Sequence, residues 1–391
     1  MSGLYVHVPF CARACPYCDF DFQVGRAPAT AGFLAELERE LDARLALGAG
    51  AKGQVPGDSA VVPPGAAYPT VYLGGGTPSL LGPDGLRALG AFIARRFPGA
   101  GSEEYTVEVN PEHGDPALYA AVLAIGGTRV SLGVQTFEPA GLTALGRAHD
   151  AATAKGALAA AVTAGLEVSA DLIVGWPAQT TQGLDDDVRQ LIDLGVRHVS
   201  VYALTIEAGT PWETLVRRGK RRLPDPDHQA DMLLAAEAAL VAAGLEHYEV
   251  ASYAAPGRRA RHNLGYWTWQ DYLGLGPSAH SAVYAADGSV IRRGNLRGLP
   301  AWRADPGRPA EIDPQDRLAA AAEGLWTGLR HLPGIELAAF LARFPAVDRA
   351  WIDARTRKQV ARGNLEFDAT HLRVAEGRWL WHDAIAADLL A

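Results

Sequence analysis

Six times between residues 4 and 204 a short β-prone run gives way to a helix-compatible stretch, and this alternation limits the chain to few architectures. The runs are Leu4–Val8, Thr70–Leu73, Tyr105–Val109, Arg129–Val134, Glu167–Val174 and His198–Leu204. The spacing predicts helices over Ala31–Leu47, Pro83–Phe97, from Asp115, over Pro139–Leu145 and Ala151–Ala164, over Gly183–Leu194 and over Asp227–Ala243. In the first helix Phe33, Leu34, Leu37, Leu41 and Leu45 share one face with charges opposite. Strands alternating with helices argue for parallel βα units, hence an α/β fold. Six units close only part of an eight-unit barrel, so a partial (βα)6 TIM-like barrel is expected. A further strand is expected at Tyr248–Ser252, and Gly48–Pro69, rich in Gly, Pro and Ala, reads as a flexible surface excursion.

Chemically distinctive residues fall where the strands end, which in a βα barrel is the face that carries the active site. The first strand runs into Cys11, Cys15 and Cys18, a CxxxCxxC spacing that uses all 3 cysteines of the chain. Three thiolates so close can hold three irons of a 4Fe-4S cluster and leave the fourth open to a ligand, whereas closed electron-transfer clusters normally have four cysteines. Ordinary buried thiols, or a zinc site borrowing His7, are the competing readings. The second strand meets Gly74-Gly75-Gly76-Thr77-Pro78, either a cradle for an anion or a tight strand exit. Glu108 is a carboxylate at a strand end, facing either the pocket or the outer helices. Asp171 lies in an apolar run, where an unpartnered carboxylate would be costly, which points to a role in a site. A second constellation is Arg261-His262-Asn263-Leu264-Gly265-Tyr266-Trp267 with Trp269 nearby, in which His262 is either a haem-iron ligand or a hydrogen-bonded histidine.

With 391 residues, 48% of them hydrophobic, the chain can bury a large core. A net charge of −8 gives no global basic field, so nucleic acid is not an expected partner. One basic run, Arg217-Arg218-Gly-Lys220-Arg221-Arg222, is either a solvated loop or a contact for an acidic partner or anionic membrane. Clustered cysteines argue for a reducing compartment rather than a disulfide framework. The motif begins within the first dozen residues, leaving no room for a signal peptide, and no stretch of about 20 apolar residues occurs, so a cytoplasmic protein is expected. Beyond residue 255 the βα pattern stops. Pro300–Pro309 reads as a linker, Asp313–Arg330, Ile335–Arg343 and Asp348–Gly363 as helices, and Leu372–Val374 with Trp379–Trp381 as a hairpin around Glu376-Gly377.

The cysteine stretch, with Tyr-Val-His-Val-Pro-Phe before it and Asp-Phe after it, resembles the signature of the radical S-adenosylmethionine (SAM) enzymes. Within them it resembles the branch of oxygen-independent coproporphyrinogen III oxidases and their haem-chaperone relatives. The resemblance implies a partial barrel over residues 1–255, an aromatic and Gly-rich extension over 256–299, and a smaller helical, winged-helix-like C-terminal domain over 300–391. It implies that the open iron chelates SAM and that cluster and SAM together generate a 5′-deoxyadenosyl radical. It also implies SAM contacts from Tyr5, Tyr17, Gly75, Gly76, Thr77, Glu108, Gln135, Arg147, Asp171 and Ala203, with Glu108 on the ribose hydroxyls. The string His262-Asn263-Leu-Gly-Tyr266-Trp267 matches the HNxxYW motif of the haem-chaperone branch, which implies haem as cargo and His262 as its ligand. His280 matches the family without an assigned role. Two departures count against porphyrinogen decarboxylation: Phe20 stands where that branch has a further cysteine, and its longer N-terminal extension has no counterpart here. The expected function is therefore a haem chaperone serving acceptor haemoproteins, membrane-associated respiratory ones among them, with an unidentified electron donor. The alternative is oxygen-independent coproporphyrinogen III dehydrogenase in porphyrin biosynthesis.

Overall fold

The computed structural model describes residues 2–25, 28–50, 67–222 and 224–390. The parallel strands are β1 (Ser2–Val8), β2 (Thr70–Gly75), β3 (Glu104–Val109), β4 (Arg129–Gln135), β5 (Glu167–Val174) and β6 (His198–Ala203). They lie side by side in chain order. Helices follow the strands as α1 (Thr30–Gly50), α2 (Gly82–Arg96), α3 (Pro116–Ala124), α4 (Ala151–Thr163), α5 (Thr181–Asp193), α6 (Pro211–Arg217) and α7 (Pro226–Ala242). Several begin as their sequences dictate: Asp115, Asp150 and Thr180 accept the backbone N–H of Leu118, Thr153 and Gly183.

The sheet is larger than six strands. On the β6 side it gains β8 (Ser252–Ala254) and β7 (Glu246–Glu249), which split the single strand expected at 248–252. On the β1 side it gains β9 (Asp271–Leu275), parallel to β1. Antiparallel β10 (His280–Tyr284), β11 (Val290–Asn295) and β12 (Pro309–Gln315) follow outward. Helix α8 (Arg261–Trp267) precedes β9. The 12 strands run in one order from β12 to β7. The result is an α/β fold built on a partial parallel barrel.

Side chains pointing out of β2 to β6 are apolar, as Val71, Leu73, Val107, Val130, Leu132, Val168, Leu172, Val199 and Val201 show, and they are buried under the helices. Phe33, Leu37 and Leu41 bring α1 onto this layer, each burial worth roughly 1.5–3 kcal/mol. Leu45, expected on the same face, is 38% exposed. Two charges on the same face of α1 as Phe33 and Leu37, Glu40 and Arg44, are fully buried as an ion pair. Their partners explain this. Glu40 accepts from the Gly276 N–H (2.8 Å), Asn295 Nδ2 (2.8 Å) and Trp302 Nε1 (3.1 Å), while Arg44 donates to Asn295 Oδ1 and Ser281 Oγ. Residues 276–302 therefore cover this face of α1 and supply the polar partners of the pair.

Residues 300–309, expected as a linker, instead carry a helix over Leu299–Ala304 and lead into β12, because Trp302 is buried against Phe33. The helix expected from Asp313 begins at Arg317, with Asp316 as its cap, because Asp313 is still in β12. Helices Leu337–Arg343, Arg349–Ala361 and His382–Leu390 follow. The expected hairpin is displaced by one strand: His371–Val374 pairs with Leu365–Phe367 and with Ile335–Glu336, and Trp379–Trp381 forms a helical turn. The excursion expected over 48–69 falls mostly on residues 51–66, outside the described residues. Among the described residues no helix is long and apolar enough to cross a membrane.

Candidate functional site

The inward side chains of the barrel are mostly polar. Thr106 and Glu108, Arg129, Ser131 and Gln135, Ser169 and Asp171, and His198, Ser200 and Tyr202 recur at every second or fourth position along four successive strands. All line one cavity of about 480 Å³, which continues upward between the loops at the strand ends.

Those loops are assembled around the cysteines. Phe10–Cys11 pairs with Gln23–Val24, so residues between them form a closed loop. His7, buried at the end of β1, reaches through Nε2 to the Asp21 carbonyl (2.7 Å). The Asp21 carboxylate accepts from Ser278 Oγ and the Gly298 N–H, both at 2.7 Å. Cys11, Cys15 and Cys18 are free, half-buried and all on the cavity wall. Burial pushes the Cys11 thiol up to about 11, against a lowering contact from Thr77 Oγ1 at 3.4 Å. Among the described residues no three His, Cys, Asp or Glu side chains converge on a single-ion site. A cluster engages each thiolate at its own iron, so three cysteines spread along one loop offer it three separate ligands.

The glycine loop is needed for close approach to this cysteine loop. A Cβ on Gly76 would sit 2.7 Å from the Phe10 carbonyl oxygen and 2.8 Å from that of Val8, and Gly75, at φ +107°, abuts the His7 ring. The Gly75 N–H is bound by Glu108 Oε2 (3.1 Å), whose other oxygen accepts from Tyr72 Oη (2.9 Å). Burial, helped by the Asp171 charge, pushes Glu108 up to about 7 despite these two bonds. Burial likewise raises Asp171 to about 6, against hydrogen bonds from Ser200 and Ser131. The cavity thus holds two carboxyls that change charge near neutrality.

Arg147 supplies the cation. Its Nη2 donates to Asn110 Oδ1 (3.0 Å) and the Gly133 carbonyl (2.9 Å), and Nη1 lies 3.5 Å from Cys15 Sγ. Among the described residues its Nε has no hydrogen-bond partner, and neither has the buried Gln135 Oε1. Gln135 adopts φ +68°, rare for a residue other than glycine, at the end of β4. Unsatisfied buried polar atoms beside an open cavity are the mark of a site shaped for a polar ligand. Of the residues expected at SAM, Tyr17, Gly75, Gly76, Thr77, Glu108, Gln135, Arg147, Asp171 and Ala203 line this cavity. Tyr5 does not: its ring stacks on Tyr72, which takes the place on the wall.

Sequence reasoning missed Tyr72, Ser131, Ser200 and the pair Glu104–Arg129. For Ser131, Ser200 and the Glu104–Arg129 pair the signal was present as the strict alternation of polar and apolar residues along β3 to β6.

The HNxxYW segment is α8, and it closes the opposite end of the barrel. Glu104 accepts the backbone N–H of Arg261 (3.0 Å) and His262 (2.9 Å) and pairs with Arg129 (3.2 Å). Asn263 reaches the cavity. His262 is only 3% exposed, and both ring nitrogens are engaged: Nδ1 with Thr70 Oγ1 (3.0 Å) and Nε2 with Tyr266 Oη (2.8 Å). Burial lowers its pKa to about 3, so the ring is neutral. In this conformation His262 offers no free nitrogen to an iron. Trp267 faces the other way, into a cavity of about 530 Å³ that it shares with Trp269, His331, Arg343 and His371. His280 is exposed at the start of β10, and Phe20, just past the cysteines, is 62% exposed.

Comparison with known proteins bears on the fold and the family. Residues 61–191 match the model of the radical SAM superfamily. The chain is 39% identical over 288 residues to the haem chaperone HemW of Mycobacterium tuberculosis, covering 72% of this chain and 69% of that one. It is 35% identical over 300 residues to HemW of Escherichia coli, covering 75% and 74%. The solved structure of coproporphyrinogen III oxidase (HemN) from Escherichia coli, a radical SAM enzyme, superposes with a TM-score of 0.79 at 20% identity, over 99% of this chain and 89% of that one.

Proposed function

Because this chain belongs to the haem-chaperone HemW family within the radical SAM superfamily, we propose that it binds haem and delivers it to acceptor haemoproteins, using a 4Fe-4S cluster and SAM held at the mouth of its barrel. The observation that carries the site is the convergence of three free thiols, the Arg147 guanidinium and two buried carboxyls on one cavity. Cys11, Cys15 and Cys18 would hold three corners of the cluster. When bound, the cluster supplies a low-potential electron for cleaving a carbon–sulfur bond of SAM.

The protein's own groups match the remaining chemistry of SAM. Arg147 offers a fork of donors to a carboxylate. Glu108 and Asp171, both poised near neutrality, can between them donate and accept hydrogen bonds with a vicinal diol. Gly75, Gly76 and Thr77 bring backbone close to the cluster loop, leaving no side chain in the way.

Haem is the cargo, and α8 carries its motif. Coordination by His262 through Nε2 requires that nitrogen to leave Tyr266. Cytoplasmic residence fits three free thiols, which a reducing compartment preserves. The second reading, oxygen-independent coproporphyrinogen III dehydrogenase, draws on the shared fold alone. Phe20, in the position where the decarboxylating branch is expected to place a cysteine, favours haem handling. Anaerobic reconstitution followed by haem titration tests the proposal: a saturable, stoichiometric haem spectrum supports it, and absence of saturation in cluster-loaded protein defeats it. Unchanged haem affinity in His262→Ala would remove only the ligand role of that residue.

A further inference from the structure

We propose that the basic turn at 217–222 is the docking surface for a small acidic redox protein that delivers single electrons to the cluster site. The inference rests on the reading of Cys11, Cys15 and Cys18 as cluster ligands. The chain carries a net charge of −8, yet five cations are packed into the six residues that leave α6. Arg217, Arg218, Lys220 and Arg222 are exposed. Arg217 pairs loosely with Glu213 at 3.6 Å. Arg218, Lys220 and Arg222 have no carboxylate partner among the described residues. Uncompensated charge of one sign on an otherwise acidic molecule creates a local field that selects anionic partners.

The turn is fixed in shape. Gly219 takes φ +67°, and the N–H groups of Lys220 (2.9 Å) and Arg221 (3.2 Å) both bind the Leu215 carbonyl. It is also fixed to the cluster loop. The Arg221 guanidinium lies 4.5 Å over the ring of Trp212. Trp212 is buried with Leu145, Ile173, Trp176 and Leu204, and Tyr17 of the cysteine loop packs on the same cluster. The backbone N–H of Trp212 donates to the carbonyl of Pro16 at 2.8 Å, and Pro16 is bonded to Cys15. From the cationic surface one ring and one hydrogen bond lead to a cysteine of the triad. A solvated loop needs no such connection, and a membrane-binding patch gains nothing from it.

The step is a single-electron transfer: the donor's reduced flavin or iron–sulfur centre loses one electron, the oxidised cluster gains it, and no bond or proton moves. Reconstituted full-length protein, with its iron and sulfide content confirmed, is mixed in stopped flow with a reduced acidic flavodoxin while the cluster absorbance is followed. The variant is Arg218→Glu with Lys220→Glu and Arg222→Glu. At low salt its second-order rate should fall by about tenfold or more, as loss of electrostatic steering predicts. The wild-type rate should fall with ionic strength and the variant's should not. Reduction by dithionite and haem titration should be unchanged. Equal flavodoxin rates in both proteins, with the cluster in place, overturn the docking surface alone. So does a variant that keeps the flavodoxin rate but loses binding to phosphatidylglycerol vesicles, which would make the turn a membrane contact. Failure of the wild-type cysteines to take up iron overturns the cluster reading together with the proposal.

Discussion

Glu108 makes the account testable at the scale of one residue. Its carboxyl rises from an ordinary value of 4.5 to about 7, chiefly through burial. A carboxyl raised on folding binds its proton more tightly in the native state, so its ionisation opposes folding. Ligand-free protein should therefore lose stability as pH rises from about 4.5 to about 7, by roughly 1–3 kcal/mol from this group. Glu108→Gln should flatten that part of the pH–stability curve, measured by urea unfolding at a series of pH values; parallel curves for the two proteins would contradict the shift. The side chain of Tyr266 permits a second test. Tyr266→Phe removes the hydroxyl that occupies His262 Nε2. If His262 ligates iron, the variant should bind haem more tightly, with a titration end-point reached at lower haem concentration. Weaker binding would assign the hydroxyl itself to the haem site.

Two contacts decide how elements hold the site. Gly76→Ala places a Cβ against the carbonyl oxygens of Val8 and Phe10, where β1 passes into the cysteine loop, and backbone atoms cannot rotate away. It should destabilise the protein by about 1–3 kcal/mol and lower the iron taken up per chain on reconstitution; wild-type iron content would contradict the role given to the glycine loop. On the far side of the barrel wall, Arg44→Ala leaves Glu40 buried without its cation and should cost roughly 3–5 kcal/mol, read as a lowered unfolding midpoint. These elements also show how far the chain was readable. The strands from Glu104 to Ala203 lie within about a residue of where periodicity puts them, because β-prone runs between helical patterns carry local information. The buried pair in α1 was not readable, because the surface that covers it comes from residues 276–302, more than two hundred positions away. The turns after residue 300 were misread for a similar reason: Trp302 is ordered by a distant partner, and no local pattern records that. For the site, the cysteines, Glu108 and Asp171 were legible from their positions at or near strand ends, whereas Arg147, which follows a short helix, was carried by the family resemblance alone. Tyr72 was hidden because an aromatic residue in a strand reads as core. The engagement of both His262 nitrogens depends on Thr70, which no spacing within HNxxYW reveals.

For the whole molecule, the barrel has two chemically distinct ends. The strand C-termini carry thiols, cation and glycine loop, and the strand N-termini are closed by α8 through Glu104 and Arg129. One continuous cavity connects them, lined by the cysteines above and by Ala260 and Asn263 below. The proposed cluster site and the HNxxYW helix therefore face one cavity from its two ends. The most direct test of haem handling over porphyrinogen oxidation uses a single anaerobic preparation of cluster-loaded protein with SAM and reductant. One portion is titrated with haem and then mixed with an apo-haemoprotein; the other is incubated with coproporphyrinogen III. The account predicts saturable haem binding, transfer to the acceptor and no protoporphyrinogen formation above the protein-free control. Sustained protoporphyrinogen production without saturable haem binding would contradict it.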